Sequence, residues 1–353
     1  MRLWARRAPA ISFAAAYRLF LRLLRGCGPI SALLLAATLA GCINISLDDL
    51  GQSSRAIPAS LLAEMQKKGM TPEGAVLIRI FKMESELEVW KVDRSGKYAL
   101  LKTYPICRWS GKLGPKTKTG DRQAPEGFYR VSMGSLNPNS QFFLSFNLGY
   151  PNRLEAALGY SGEALMVHGA CSSSGCFALT DQNIGEIYAV LQAALKAGQP
   201  SVQVQAFPFH MTPENLAAHR DDPNVSFWLI LKRGNDIFEV ERREPKISMC
   251  DRRYVFDRDF GGREPGNPLA ACPASTSRPE PSVDAKAMKD LNRSEALLKL
   301  PPPKSIAYQD GGMHPQFRAL LKKFGEKELA ERVSEIKYPI SRPDAALADP
   351  YRN

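Results

Sequence analysis

The segment Met166-Val167-His168-Gly169-Ala170-Cys171-Ser172-Ser173-Ser174-Gly175-Cys176 places an imidazole at the end of an apolar run and a thiol eight residues later. A thiol becomes a useful nucleophile when a base takes its proton and donors hold the charge that builds on the attacked carbonyl. His168 supplies the base. Gly175 lets backbone approach a carbonyl oxygen, so the N–H groups of Gly175 and Cys176 are natural oxyanion donors. A helix N-terminus close by would favour the thiolate further. Other readings fit the same residues. Cys171 and Cys176 are spaced for a disulfide, and His168, Cys171 and Cys176 for three zinc positions with no fourth ligand at a fitting spacing. The papain order, Cys first and His far downstream, is not the order here.

The surrounding elements must hold that turn. Pro58 to Lys68 suits a short helix stopped by Gly69. The runs 76–81, 87–92 and 98–104 are β-rich and separated by charged turns, which predicts an antiparallel meander. Residues 108–127 hold Ser110-Gly111, Gly114-Pro115, Gly120-Asp121 and Pro125-Glu126-Gly127, a long loop of the kind that serves function. Strands are predicted at 128–133, 141–147, 164–167 and 202–207, with a last strand over 245–256. A helix spans about 183–196, and Thr212-Pro213-Glu214 caps another. Beyond 257 the chain is rich in Gly, Pro, Ser and Arg, with helical stretches near 284–299 and 315–336.

The N-terminal end reads as an address. Of 353 residues, 47 are Lys or Arg and 36 Asp or Glu, a formal charge of +11. Six arginines and no acid fall in residues 1–41; without them 41 basic side chains face 36 acidic ones. That excess is too diffuse to argue for nucleic acid. The 44% apolar content excludes disorder of the whole chain. The apolar run 30–40 is shorter than the ~20 residues a spanning helix needs. It ends in Leu39-Ala40-Gly41-Cys42, which resembles the lipobox of bacterial lipoproteins, where cleavage precedes a lipidated Cys. The expectation is a signal over 1–41, lipid on Cys42 and a periplasmic, outer-membrane location. Five of seven cysteines then remain, an odd count that leaves one free thiol in an oxidising compartment. Cys250 and Cys272, flanking a Gly/Pro-rich loop, are the favoured pair, worth about 3 kcal/mol in the chain-entropy model. Cys107 with Cys171 is the weaker second pairing, and a Cys171–Cys176 link would silence the thiol.

His168-Gly169, then Ser173, Gly175 and Cys176, resemble the signature of the L,D-transpeptidase (YkuD-like) family, with Ser174 where most members have His. The short spacing and the shape His-Gly-x-Cys-x-Ser-x-Gly-Cys are similar to its YafK-like branch. Trp109-Ser110-Gly111-Lys112-Leu113-Gly114-Pro115-Lys116, Ser135-Leu136-Asn137-Pro138 and Phe207-Pro208-Phe209-His210 continue the resemblance over about 75–257. It implies a mainly β, α+β mixed-sheet domain with short helices at 75–257. A tether and short helix precede it at 42–74, and a partly helical extension follows at 258–353.

It further implies acyl transfer on peptidoglycan stem peptides, without cofactor or metal. Cys176 would attack at the L-centre of meso-diaminopimelate, His168 would move the proton, and Gly175 would hold the oxyanion. Ser173 would orient His168 or contact the oxyanion. Ser174 cannot act as a base at neutral pH. Lys112, Lys116 and Arg122 are candidate grips for substrate carboxylates. Trp109, Tyr129 and Tyr150 are candidate groove walls, while His210, His219 and His314 read as surface or capping residues. Hydrolysis of a diaminopimelate–lysine bond that ties a lipoprotein to the wall is the alternative, since only the acceptor differs.

Overall fold

The first three β-rich runs become β1 (Val76–Phe81), β2 (Glu86–Val92) and β3 (Tyr98–Pro105) in the computed structural model, paired antiparallel as a meander. The structure describes residues 55–301, 311–335 and 338–340. The address segment, its apolar run and Cys42 lie outside them. No helix among the described residues is long and apolar enough to cross a membrane. The helix expected near Pro58 is α1 (Ala59–Lys67), whose Leu61 and Met65 are buried.

The protein is a mixed α+β fold with two five-stranded sheets. In the first, β1 takes β10 (Val202–Phe207) as a parallel partner, and β10 pairs antiparallel with β5 (Gly127–Val131); the order is β3-β2-β1-β10-β5. β1 and β10 are buried along their whole length, Arg79, Gln203 and Gln205 included. The second sheet runs β4-β9-β8-β7-β6. Its members are β4 (Arg108–Trp109), β6 (Leu136–Ser140), β7 (Phe143–Asn147), β8 (Met166–His168) and β9 (Phe177–Ala178). Pairing is antiparallel except between β8 and β9, which run parallel. Helix α3 (Asp181–Lys196) touches β1 in one sheet and β7 and β8 in the other. Its Ile184, Ile187, Tyr188 and Leu191 share one core with Val76, Ile78, Phe146 and Val167. α2 (Arg153–Ala157) is a single capped turn, with Asn152 accepting from Leu154 and Glu155 N–H.

Thr212 caps α4 (Pro213–Ala218), accepting from Asn215 N–H, with Pro213 in the first turn as expected. The single strand expected over 245–256 is instead a hairpin, β11 (Ile247–Cys250) and β12 (Arg253–Phe256). Its turn residues Asp251 and Arg252 have φ of 53° and 60°, the left-handed pair of a tight hairpin turn. Arg252 conceals that turn, because glycine is the usual signal there. The 17-residue α5 (Val225–Glu241) was not anticipated. Gly234 in its middle reads as a breaker, costing about 1 kcal/mol against Ala. The structure requires it, since a Cβ there would stand 2.6 Å from the rings of Phe128 and Phe256. A minor hairpin, β13 (Arg258–Asp259) with β14 (Thr276–Ser277), leads to α6 (Pro281–Leu298) and α7 (Pro315–Val333).

Candidate active site

β8 and β9 set the pair. Val167 lies opposite Phe177 and His168 opposite Ala178. One residue before β9, Cys176 comes level with Met166, whose N–H donates to Sγ at 3.4 Å. His168 thus lies two residues along β8 from the point that the Cys176 thiol touches. Cys176 is half-buried and is the free thiol among the described cysteines.

The tautomer of His168 follows from its partner. Nδ1 lies 2.6 Å from the Gly169 carbonyl oxygen. A carbonyl only accepts, so Nδ1 carries the proton and Nε2 keeps a lone pair. Burial lowers His168 to about 4, with the Gly169 hydrogen bond opposing. Burial also pushes the Cys176 thiol up, while Met166 N–H and the Lys116 charge pull it part of the way back. At neutral pH the resting pair is therefore an uncharged thiol beside an uncharged imidazole.

The turn between them is held at both ends. Gly169 has no room for a side chain: a Cβ would meet Asp181 Oδ1 at 2.4 Å and Phe142 O at 2.8 Å. Ala170 and Cys171 follow with φ of 65° and 45°, costly for non-glycine residues. They are kept there by the Ala170 N–H donating to Asp181 Oδ1 at 2.8 Å and by a Cys107–Cys171 disulfide. That bond removes Cys171 from the alternatives of zinc ligand and partner for Cys176. A second disulfide joins Cys250 to Cys272.

Ser173 builds the turn from inside. Its hydroxyl donates to the Cys176 carbonyl at 2.7 Å and accepts from Ser110 Oγ at 2.9 Å and Gly175 N–H at 3.3 Å. These contacts give Ser173 a part in shaping the backbone of Cys176. They also correct the expectation for Gly175, whose N–H is turned toward Ser173 within the loop. Gly175 itself sits at φ 133°, where glycine alone is at ease, against the backbone of Arg122 and Gln123.

The candidate substrate residues divide. Lys112 and Arg122 are exposed on the 108–127 loop beside the turn. Trp109 is not a groove wall: its ring is fully buried and its Nε1–H donates to Ser85 Oγ at 3.0 Å. Tyr150 is likewise buried, donating to the Lys116 carbonyl at 3.1 Å, and Tyr129 donates to Glu155 Oε1 at 2.7 Å. Lys116 is not an open grip either. It is buried, paired with Asp121 and bonded to the Lys118 carbonyl at 2.7 Å. Its charge nonetheless bears on the thiol. The loop is pinned beneath by Lys82 and Glu126, both fully buried, at 2.9 Å. His210 stacks on Phe81, His219 on Phe209, and His314 caps α7. Asp181 and Phe142 carry no local sign in the sequence of their place at this turn, and Ser110, read there as a loop residue, donates to Ser173.

A free thiol and a buried neutral histidine from neighbouring segments suit one class of chemistry, attack on an activated carbonyl through a thioester. Comparison with known proteins narrows it. No family model matches the chain. YafK of Escherichia coli strain K12, provisionally named an L,D-transpeptidase, is 42% identical over 227 residues, which are 64% of this chain and 90% of that protein. The O157:H7 form matches to the same extent. The chain belongs to the same family as YafK. Among solved structures, the helical cell shape determining protein Pgp2 from Campylobacter jejuni shares 19% identity over 54% of this chain and 80% of its own, with TM-score 0.31. Bd1075 from Bdellovibrio bacteriovorus shares 17% over 50% and 76%, with TM-score 0.28. Overlaps that loose carry no inference.

Proposed function

We propose that this chain is a cell-wall enzyme of the L,D-transpeptidase type, acting on peptidoglycan stem peptides. The observation that carries the reading is the free Cys176 thiol against Met166, two residues along β8 from His168, whose Nε2 lone pair is set by the Gly169 carbonyl. Cys176 Sγ attacks the carbonyl at the L-centre of meso-diaminopimelate as His168 Nε2 takes the thiol proton. The tetrahedral intermediate collapses with loss of D-Ala, whose amine receives that proton, and a thioester remains. An acceptor amine then attacks, releases the thiol and completes a cross-link. Water in place of the amine gives hydrolysis, and a diaminopimelate–lysine bond to a lipoprotein would be cleaved by the same two steps. Kinship with YafK supports the class of reaction. The enzyme works in the periplasm, tethered by lipid on Cys42, and Cys42→Ala should release it from the membrane fraction.

The test is incubation of purified protein with tetrapeptide muropeptides and with a lipoprotein–muropeptide conjugate, followed by mass analysis. Cross-linked dimers with free D-Ala support transpeptidation, and a released lipoprotein supports hydrolysis. Cys176→Ala and His168→Ala should each abolish either product while the fold persists. Turnover at the wild-type rate by Cys176→Ala would overturn the mechanism.

A further inference from the structure

The catalytic turn is built on a carboxyl group that also binds a distant part of the chain. Asp181, in the first turn of α3, is 2% exposed. Its Oδ1 accepts the Ala170 N–H, two residues after His168. Its Oδ2 accepts the Ser334 hydroxyl at 3.0 Å and the Glu335 N–H at 2.7 Å, just past the end of α7. A second chain of contacts reaches the imidazole itself. The Phe142 ring lies 4.7 Å from the His168 ring, and Tyr338 packs edge-on against Phe142, also at 4.7 Å.

The same C-terminal stretch is fastened elsewhere along this wall. Gly312 pairs with Trp109 in both directions at 3.1 Å, and His314 N–H donates to the Ile106 carbonyl at 3.1 Å. Phe317, Leu329, Val333 and Ile340 pack around Cys107 and Cys171. Residues some 150 positions downstream of the catalytic turn therefore form its outer support. Nothing in the proposed chemistry needs them to touch substrate.

We propose that Asp181 is a positioning residue for His168, and that the C-terminal segment around Ser334 and Tyr338 is the strap it engages. The strap holds the His168–Cys171 turn and the Phe142 ring in place, and so fixes the reach of Nε2 to the Cys176 thiol. This rests on the reading of Cys176 and His168 as the reacting pair. A base displaced by an ångström loses much of its effect, up to about 100-fold. Asp181→Asn leaves a carbonyl oxygen for the Ala170 N–H but turns an amide toward the Glu335 N–H. It thereby separates the strap from the turn.

The experiment uses the full chain and a probe that needs no cell-wall substrate: alkylation of Cys176 by iodoacetamide as a function of pH, read by intact mass. His168→Ala sets the rate without the base. Asp181→Asn, Ser334→Ala and Tyr338→Ala should each lower the neutral-pH rate by about tenfold. Tyr338→Ala should also move the acid limb of the profile to higher pH, because water then reaches Phe142 and the imidazole. Ser334→Thr and Tyr338→Phe, which keep the hydroxyl and the ring, should restore the wild-type rate. Urea unfolding of each variant identifies any that fail to fold; should Asp181→Asn be one, Ser334→Ala and Tyr338→Ala decide. Folded strap variants with lowered stability but the wild-type alkylation rate and acid limb would overturn the proposal and leave Asp181 a structural residue. Should His168→Ala itself alkylate like the wild type, the Cys–His pairing fails, and the strap has nothing to position.

Discussion

Protonation of the buried His168 on acidification should cost the fold a share of its stability that a variant can isolate. An exposed imidazole titrates near 6.5, and burial brings His168 to about 4. The unfolded chain therefore binds a proton between these values that the folded chain refuses. The stability due to the neutral ring is complete above pH 6.5 and is lost as pH falls toward 4. At 1.36 kcal/mol per pH unit, going from pH 7.5 to 4 costs about 3 kcal/mol. Glu155 works in the opposite sense. Burial raises it to about 7, opposed by hydrogen bonds from Tyr129 and Asn152, so its contribution is complete below 4.5 and lost as pH rises through 7. These two groups nearly cancel in the wild-type curve. The comparison must therefore be with His168→Asn, whose amide N–H replaces Nδ1–H and does not titrate. Urea unfolding of both proteins at pH 7.5 and 4, followed by tryptophan fluorescence, supplies the double difference. The variant should keep about 3 kcal/mol more of its stability on acidification than the wild type. A double difference under about 1 kcal/mol would refute the buried, neutral imidazole, and with it the neutral resting pair.

Three further outcomes follow from other contacts. Glu126 Oε1 accepts from Lys82 at 2.9 Å and Gly114 N–H at 2.7 Å, and Oε2 accepts from Trp228 at 2.8 Å. Glu126→Gln strands a buried ammonium and should cost about 3–5 kcal/mol in urea unfolding. Gly169→Ala forces a Cβ onto Asp181 and Phe142 O, so it should lose about 1–3 kcal/mol of stability and most of its turnover, measured on muropeptides. A carbapenem, whose strained carbonyl stands in for the stem-peptide carbonyl, should add one drug molecule per chain by intact mass. Cys176→Ala should show no adduct.

What was legible in the sequence was local. The runs 76–81 and 202–207 appear with those boundaries because apolar residues, nearly unbroken in the first and alternating with Gln203 and Gln205 in the second, suit a strand. Thr212 and Pro213 start their helix because a cap and a first-turn proline act within four residues. The His–Gly turn and the thiol were visible for the same reason, since the chemistry sits within nine residues. Tertiary structure decided everything that depends on what lies across from a side chain. Lys116 and Trp109 look like loop residues open to a ligand, yet both are buried, because the loop folds back over the Lys82–Glu126 pair. The parallel partner of β1 is drawn from 126 residues further along (Leu77 opposite Gln203), a choice no local pattern expresses. Most of all, Asp181 reads as an ordinary first-turn acid of a helix. Its first oxygen holds the Ala170 N–H, and its second meets Ser334 and Glu335 from a segment about 150 residues away. Residue type declares which bonds a group can make. Only the fold brings the partners close enough to make them, and for a buried group that pairing sets its energy.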